Sequence, residues 1–534
     1  MPRNKSRTPT PPRAAFFIAT ALLIRDYVPS MTSFLHTPCR AILALCLLVM
    51  GYTLPVAAQD TDKPHAPGAI EAAPKAVAAN ATAAAPVAAT GSYMRVVDAD
   101  EKTVRLDMAV RFFTPKEGKT GGGPTIALVA AIHIADARFY ELAQHYLDAQ
   151  DLVLFEGVGP GHEKGDATPA ARIEQTREHL RTVAIMLERY KALKKEYPPS
   201  LSVLVKTVRE HDALKGTRLE RATRDAWGKA LRYERSAPAT TAPARGLQAP
   251  VPALPAPAAT AAGFTLASLG ADAKAGGEGE NADLAFADQP PLKKAELEPS
   301  AGIQNDLAEA LGLTFQLNKV DTGKPNYRNA DMTVEQLQAR MKETGGDMGA
   351  MLKMMDGSSM MAGVLKLGLG LIKNSPQMQA TLKVLMSEML RDMGDDISKI
   401  KGVPKSMQAL MKTLIDDRNQ TVIDELKKEL EKPSAVSREP LAQDKQTPAA
   451  QNSEPKTQNP EPKTQNSERR TIAVWYGAGH MKDLEKRLME QLNYQPAGGF
   501  WLPAISTDLS ATGMSREEFT KLRASMQRMM GGLK

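Results

Sequence analysis

One unit occurs twice in this chain, more than three hundred residues apart. Thr125-Ile126-Ala127-Leu128-Val129 leads through Ala130-Ala131-Ile132 to His133, and an amphipathic stretch follows. Thr471-Ile472-Ala473-Val474-Trp475 leads through Gly477-Ala478-Gly479 to His480 and a second amphipathic stretch. An apolar, β-branched run bounded by small residues predicts a strand covered on both faces. Each unit therefore reads as buried strand, tight turn with one histidine, then helix. Ligands of open α/β sheets bind beyond the carboxyl ends of the strands, where both histidines fall. The repeat allows the two histidines to meet in one site despite their separation in sequence.

The chain has 534 residues, enough for two or three domains. Its net charge of +7 is concentrated at the start. Residues 1–58 hold Arg3, Lys5, Arg7, Arg13, Arg25 and Arg40 against Asp26, which leaves about +2 for the rest. That balance excludes nucleic acid as the expected partner. Arg40 precedes the apolar run Ala41–Met50, and Val56-Ala57-Ala58 offers small residues for cleavage. This predicts a secretory signal peptide over 1–58, with a start at Met31 giving a charged region of ordinary length. The mature protein would be periplasmic or secreted; the alternative is an uncleaved inner-membrane anchor, although the run is short of the ~20 residues that span a bilayer. Both cysteines, Cys39 and Cys46, lie in this segment. A mature chain without cysteine has no disulfide, thiol nucleophile or cysteine metal site, and bulky Leu45 makes a poor lipidation signal.

Residues 59–92 are Ala/Pro-rich and predict a disordered linker. The first part of the α/β core covers 93–171, with strands at Tyr93–Val97, Thr103–Phe113 and Asp151–Phe155 besides the first repeat unit. A small α+β segment is inserted at 172–235, and a second Ala/Pro/Gly-rich linker spans 236–298. Residues 299–433 read as a helical subdomain, with a capping box at Thr333-Val334-Glu335-Gln336. About half of the 26 methionines fall between Met341 and Met411. Met348, Met351, Met355 and Gly363–Ile372 keep helical spacing, so the adaptable thioethers predict a subdomain core or a mobile lid over an extended substrate. Residues 434–469 are polar and repeat Glu-Pro-Lys-Thr-Gln-Asn, which predicts disorder. The last part of the core, 470–534, carries the second unit. The fold class is thus an α/β core with a helical subdomain, a small inserted α+β domain and disordered linkers.

His133, Glu156 and His480 each stand where a predicted strand ends. Two neutral imidazoles and a carboxylate suit Zn²⁺, Mn²⁺, Co²⁺ or Fe²⁺ with a position open to water. Such an ion would lower the water's pKa and polarise a carbonyl. Glu156 follows Leu152-Val153-Leu154-Phe155, and an acid there is costly to bury without a partner; it serves as a ligand or as a general base. Arg418, with Asn419 after it, either fixes Glu156, holds a substrate carboxylate or oxyanion, or lies on an exposed face beside Asp416 and Asp417. His145, His162, His179 and His211 lack comparable settings.

Thr125–His133, Leu152–Gly157, Asn329-Ala330-Asp331-Met332-Thr333, Asp417-Arg418-Asn419 and Gly477–His480 resemble, in order and placement, the TraB/GumN/Tiki family of the erythromycin-esterase-like group. The resemblance covers roughly 93–165, 300–430 and 470–507. Its hallmarks are two Gly-x-x-His motifs, an intervening Glu and an Arg-Asn; here Ala130 stands in place of the first glycine. It implies an active site of His133, Glu156, Arg418 and His480 with Asn419 in support, and metal-dependent hydrolysis of a peptide or related bond. The alternative it carries is a non-catalytic iron- or haem-binding protein using the same cleft. The insert resembles the carboxyl-terminal domain of the type II secretion major pseudopilin, on Leu187–Lys191, Glu196-Tyr197-Pro198, Leu201–Val205 and Asp225–Tyr233. That resemblance implies a docking module for an envelope or secretion-complex partner through 172–235. Gly263-Phe264-Thr265-Leu266 mimics a prepilin cleavage site but precedes no apolar helix, and it is taken as coincidence.

Overall fold

The two repeat units become adjacent strands of one sheet. The computed structural model of the chain describes residues 91–116, 123–157, 168–235, 263–297, 303–343, 369–370, 372–393, 413–432 and 470–533. Strand β1 (Met94–Asp98) and strand β2 (Thr103–Pro115) form a hairpin whose turn is tied by Asp100, which accepts from the backbone N–H of Lys102 and Thr103. Strand β3 (Thr125–Ala131), the short β4 (Ile134–Ala135), helix α1 (Ala137–Asp148) and strand β5 (Leu152–Phe155) follow. Three later strands complete the sheet, β10 (Tyr327–Asn329), β11 (Thr471–Gly477) and β12 (Tyr494–Asp508), with helix α10 (Ala478–Gln491) between the last two.

The sheet is mixed. β3 and β11 run parallel in register from Thr125 beside Thr471 to Ala131 beside Gly477, and β5 runs parallel on the other side of β11. β2 is antiparallel to β3, and β12 lies antiparallel along the whole of β2. β3 and β11 are buried along nearly their full length, as an apolar strand covered on both faces must be. Helix α1 turns Phe139, Tyr140, Ala143 and Leu147 inward at helical spacing. Strand β12 lies so close to β2 that a Cβ on Gly499 would sit 2.1 Å from the Val110 carbonyl oxygen, so only glycine fits there.

Ala130 lies inside β3 with no left-handed φ, and Gly477 has φ −53°. Neither position makes the conformational demand that requires glycine. The alanine is therefore accommodated without strain.

The inserted segment has its own core. Helix α2 (Pro169–Lys194) is capped by Thr168, whose hydroxyl accepts from Ala171 N. Helices α3 (Leu201–His211) and α4 (Ala213–Ala222) follow, then strand β6 (Arg232–Arg235). The Tyr-Pro corner is pinned from both sides. Tyr197 donates its hydroxyl to Glu188 (2.7 Å), and Tyr233 donates to the Pro198 carbonyl (2.8 Å). At the Trp-Gly turn, Asp225 Oδ1 accepts from Trp227 N and Lys229 N, and Gly228 takes φ +80°.

Two expectations change here. Residues 236–298 were expected to be linker throughout, and the insert to end at 235. Instead strands β7 (Phe264–Ser268) and β8 (Leu284–Ala285) join β6 in an antiparallel sheet, and helix α5 (Lys294–Leu297) packs on α2. Phe264 and Leu266 enter the insert core with Leu180, Leu187, Tyr197 and Leu204. The alternation of Phe264 and Leu266 about exposed Thr265 is a strand signal, masked by the Ala/Gly/Pro-rich residues around it. The prepilin-like Gly263–Leu266 is the start of that strand.

The stretch 299–433 is not purely helical. Helix α6 (Ile303–Ala310) is followed by strand β9 (Thr314–Phe315), which pairs with β4, and strand β10 (Tyr327–Asn329), which pairs parallel with β5 at the sheet edge. Three- and two-residue strands carry too little periodicity to be read from sequence. Helix α7 (Val334–Glu343) opens with the expected capping box: Gln336 N donates to Thr333 Oγ1, and Thr333 N donates to Gln336 Oε1. Helix α8 (Pro376–Met393), a π-helical turn (Thr413–Asp417) and helix α9 (Arg418–Glu431) complete the segment, and helix α11 (Arg516–Leu533) ends the chain. The expected signal peptide over 1–58, residues 59–90, 236–262 and 434–469 where linkers are expected, His162 and most of the methionine-rich stretch lie outside the described residues. Among the described residues no helix is long and apolar enough to cross a membrane.

Candidate active site

Glu156 leaves the end of β5, and its backbone N–H still donates to the Trp475 carbonyl of β11 (3.0 Å). This places its carboxylate over the ends of the central strands. Oε2 accepts from Gly477 N, the last residue of β11, at 2.7 Å. Oε1 accepts from Arg418 Nη2 at 2.7 Å, and His480 Nε2 lies 3.7 Å from the same oxygen. Three chain segments thus meet on one carboxylate.

Arg418 and Asn419 are the first two residues of α9. The inward face of that helix continues through Val422, Ile423 and Leu426, and the same helical spacing carries Arg418 and Asn419 inward. The Arg418 side chain is 1 % exposed. It is not on an Asp/Arg surface, and it faces two carboxylates rather than open space. Nε donates to Asp331 Oδ1 (2.8 Å) and Nη2 to Asp331 Oδ2 (2.5 Å), besides the bond to Glu156. Burial opposes its charge, but Asp331 and then Glu156 hold its pKa well above the ordinary value.

His480 is the third residue of α10 and is fully buried. Asn419 fixes its ring. The Asn419 Oδ1 lies 2.8 Å from His480 Nδ1, and the Asn419 amide donates to Asp483 Oδ2 (2.8 Å) and to the His480 carbonyl (3.3 Å). Because the amide nitrogen is committed as donor, Oδ1 must accept, so Nδ1 carries the proton and the Nε2 lone pair faces Glu156. Burial lowers the imidazole pKa to about 4, against the upward pull of Glu156. For Glu156, burial acts upward, but the Arg418, His480 and His133 charges and the Gly477 N–H outweigh it and bring the carboxyl down to about 2. At neutral pH the pair is therefore a carboxylate facing a neutral imidazole.

His133 lies in the turn between β3 and β4. Its carbonyl accepts from Gln316 N (2.7 Å), and its ring rests 6.2 Å, centroid to centroid, from Phe315. It is near enough to Glu156 to help lower that carboxyl's pKa. The sequence-predicted residues are linked in a chain, Arg418 to Glu156, Glu156 to His480 and His480 to Asn419, with His133 near enough to act on the Glu156 charge. His145 is on α1, as expected of a helix residue, and His179 and His211 lie in the insert.

Asp331 was not assigned a role by sequence reasoning. It accepts from Gly157 N (3.0 Å) and Met332 N (2.8 Å) as well as from Arg418, and so ties the end of β5 to the segment after β10. Its partner is 87 residues away, so no local pattern announces the pair. The Gly477 N–H is likewise invisible in sequence, because every residue type but proline supplies one.

A divalent ion held by two donors about 2.1 Å away at the tetrahedral angle separates those donors by about 3.4 Å. The observed 3.7 Å between His480 Nε2 and Glu156 Oε1 is close to that separation. Ligation also requires a deprotonated imidazole and carboxylate, which this pair supplies at neutral pH. Among the described residues no three His, Asp or Glu side chains converge as a ready-made metal group; the fit is that of a pair, with His133 nearby. No family profile matches the chain, and no curated protein or solved structure matches it either.

Proposed function

We propose that this chain is an exported hydrolase of the TraB/GumN/Tiki type, dependent on a divalent metal and acting on a peptide or related bond. The observation that carries the reading is the buried His480–Glu156 pair, in which the imidazole is oriented by Asn419 and kept neutral while Nε2 faces the carboxylate. A general base works best with a pKa near the working pH. Values of about 4 and about 2 are far below that, so the pair is poorly tuned for taking a proton. The same low values keep both groups ready to ligate. His480 Nε2, Glu156 Oε1 and His133 would hold Zn²⁺, Mn²⁺, Co²⁺ or Fe²⁺, which when bound lowers the pKa of its water and polarises a substrate carbonyl.

The chain's own groups have definable tasks in this reading. Arg418 holds Glu156 in one rotamer and balances its charge, because it is buried against that side chain and Asp331. It is a positioning residue rather than a substrate contact. Asn419 sets the His480 tautomer, and the Gly477 N–H fixes the second oxygen of Glu156. The test is metal content and affinity of the mature protein, by elemental analysis and titration, beside a His133→Ala/His480→Ala variant. Stoichiometric metal that is lost in the variant supports the site and justifies a peptidase screen. No metal in either protein overturns it. Metal without hydrolysis, together with a Soret band on haem addition, would instead favour a non-catalytic iron- or haem-binding protein.

A second reading, an interaction protein of an envelope or secretion complex, is favoured by the separate core of the insert. The hydrogen-bonded Tyr-Pro corner and Trp-Gly turn support the pseudopilin-like reading of this insert. On this reading, removing 168–297 abolishes partner capture and leaves metal binding intact. The protein then acts in the periplasm, outside the cell or anchored at the inner membrane.

A further inference from the structure

Away from the His480–Glu156 site, the insert meets the core along a cleft of about 910 Å³. Its walls are α2, the end of α4, the turn at 224–229 and the core segment at 321–323. Arg172, Arg218, Arg221, Arg224 and Lys229 line it, against the acids Asp225 and Asp321. The arginines of α4 are seated across the boundary. Arg218 Nη2 donates to the Val320 carbonyl (2.9 Å), and Arg221 Nη2 donates to Asp321 Oδ1 (2.6 Å). Arg221 packs so tightly on Gly323 that a Cβ there would lie 1.6 Å from Nη1, so the glycine makes room for the guanidinium.

These two acids and Glu280, which lies 3.7 Å from Arg172 and accepts from the Trp227 indole, take up part of this charge, as Glu220 does for Arg209. Asp321 is engaged by Arg221, while Asp225 accepts from Ser268 Oγ, Trp227 N and Lys229 N. Arg224 donates to a neutral group, the Gly228 carbonyl, which cancels none of its charge. Arg224 and Lys229 are exposed, and the half-buried Trp227 indole stands in the wall between them. A second cavity of about 940 Å³ shares Arg221 and Arg224 as its wall and adds Lys206 and Arg209 with Glu210 and Glu220. The cations are therefore strung along the end of α4 rather than gathered at one point.

We propose that this cleft is a docking site for an acidic peptide in extended form. Guanidinium groups match carboxylates with two parallel hydrogen bonds. Cations spread over two adjoining cavities suit carboxylates spaced along a chain, whereas a single phosphate would meet only two or three of them. The interspersed acids oppose a densely charged polyphosphate or nucleic acid, and the indole offers an apolar face for the residues between the carboxylates.

The probe is a fluorescein-labelled hexapeptide of alternating Glu and Gly, titrated with the mature full chain by fluorescence anisotropy. Saturable binding is expected, weakening on the order of tenfold between low and high salt because exposed ion pairs are screened. An Arg224→Glu/Lys229→Glu variant, altered only at exposed positions, is expected to lose affinity on the order of tenfold or more through like-charge repulsion. Arg172→Glu on another wall of the cleft is expected to weaken binding in the same direction. The proposal is overturned by absence of saturable binding, by equal binding of a Gln/Gly peptide, by unchanged affinity in both variants, or by preferential binding of inorganic polyphosphate.

Discussion

Replacing Arg418 by methionine removes the guanidinium that joins Glu156 to Asp331. Their side chains are 9 % and 0 % exposed, so neither carboxylate is rescued by water. Breaking a buried pair by deleting one partner costs about 3–5 kcal/mol, because a charge is left uncompensated. The Glu156 titration points the same way: against burial, the Arg418 charge is the largest of the influences that bring this carboxyl down to about 2. Arg418→Met should therefore lose about 3 kcal/mol or more at neutral pH. A depressed carboxyl stabilises above its unfolded pKa and loses that contribution as pH falls through the folded value. The difference between wild type and Arg418→Met should accordingly narrow as pH falls from about 4.5 toward about 2. The assay is urea unfolding followed by Trp475, which is fully buried on β11 beside the site, with Trp227 and Trp501 replaced by phenylalanine. Asp331→Asn added to Arg418→Met should recover part of the loss, and the cycle should show coupling above about 1 kcal/mol. A single-variant loss under about 1 kcal/mol, or additive effects, would refute the shared-guanidinium account.

The imidazole predicts a separate acid response: burial of neutral His480 lowers its pKa from 6.5 to about 4, so its roughly 3 kcal/mol contribution is present above pH 6.5 and drains away as pH falls toward 4. Thermal melts across that range should show the slope, and a His480→Gln variant should lack it. Asn419→Ala frees the ring that Asn419 now fixes, and metal affinity by titration should fall about 10–100-fold, as it does when an outer hydrogen-bond partner of a ligand is lost; unchanged affinity would remove Asn419 from the site. Gly499→Ala drives a methyl into the Val110 carbonyl and should cost roughly 1–3 kcal/mol or more in calorimetric stability, while a neutral result would mean that β12 separates from β2 at little cost. Phe264→Ala empties the centre of the insert core at a cost of about 3–5 kcal/mol, and proteolysis should then cut the insert while metal binding at the sheet survives.

What the sequence disclosed follows the range over which its signals act. The strand–histidine–helix units were legible because burial on both faces writes itself as an uninterrupted apolar run, and their in-register pairing is the outcome that such a repeat permits. The Thr333–Gln336 box was legible because both of its hydrogen bonds close within four residues. β10 was not, since three residues at a sheet edge leave no period to count, yet it delivers Asp331 to the site. β7 was hidden for another reason: its alternation is clear, but Ala-, Gly- and Pro-rich neighbours outweighed it in any window wide enough to call the region a linker.

The candidate site shows why partial legibility still sufficed to bring its residues together. An acid placed after an apolar strand must find a counter-charge, and that requirement singled out Glu156 before any partner was known. Solving it took two further groups, Arg418 from a helix start and the Gly477 N–H from the next strand. But a guanidinium carried inward by the buried face of α9 creates a demand of its own, because one carboxylate on Nη2 leaves Nε to be satisfied. Asp331 answers it with two bonds and is itself held by Gly157 N, one residue beyond Glu156. The network thus closes on the segment where it began, which makes Glu156 immobile as well as ionised. His480 needs that fixed charge beside it: the imidazole is kept neutral by burial, its tautomer is set by Asn419, and only a carboxylate that stays in place makes the direction of the Nε2 lone pair useful to a third party.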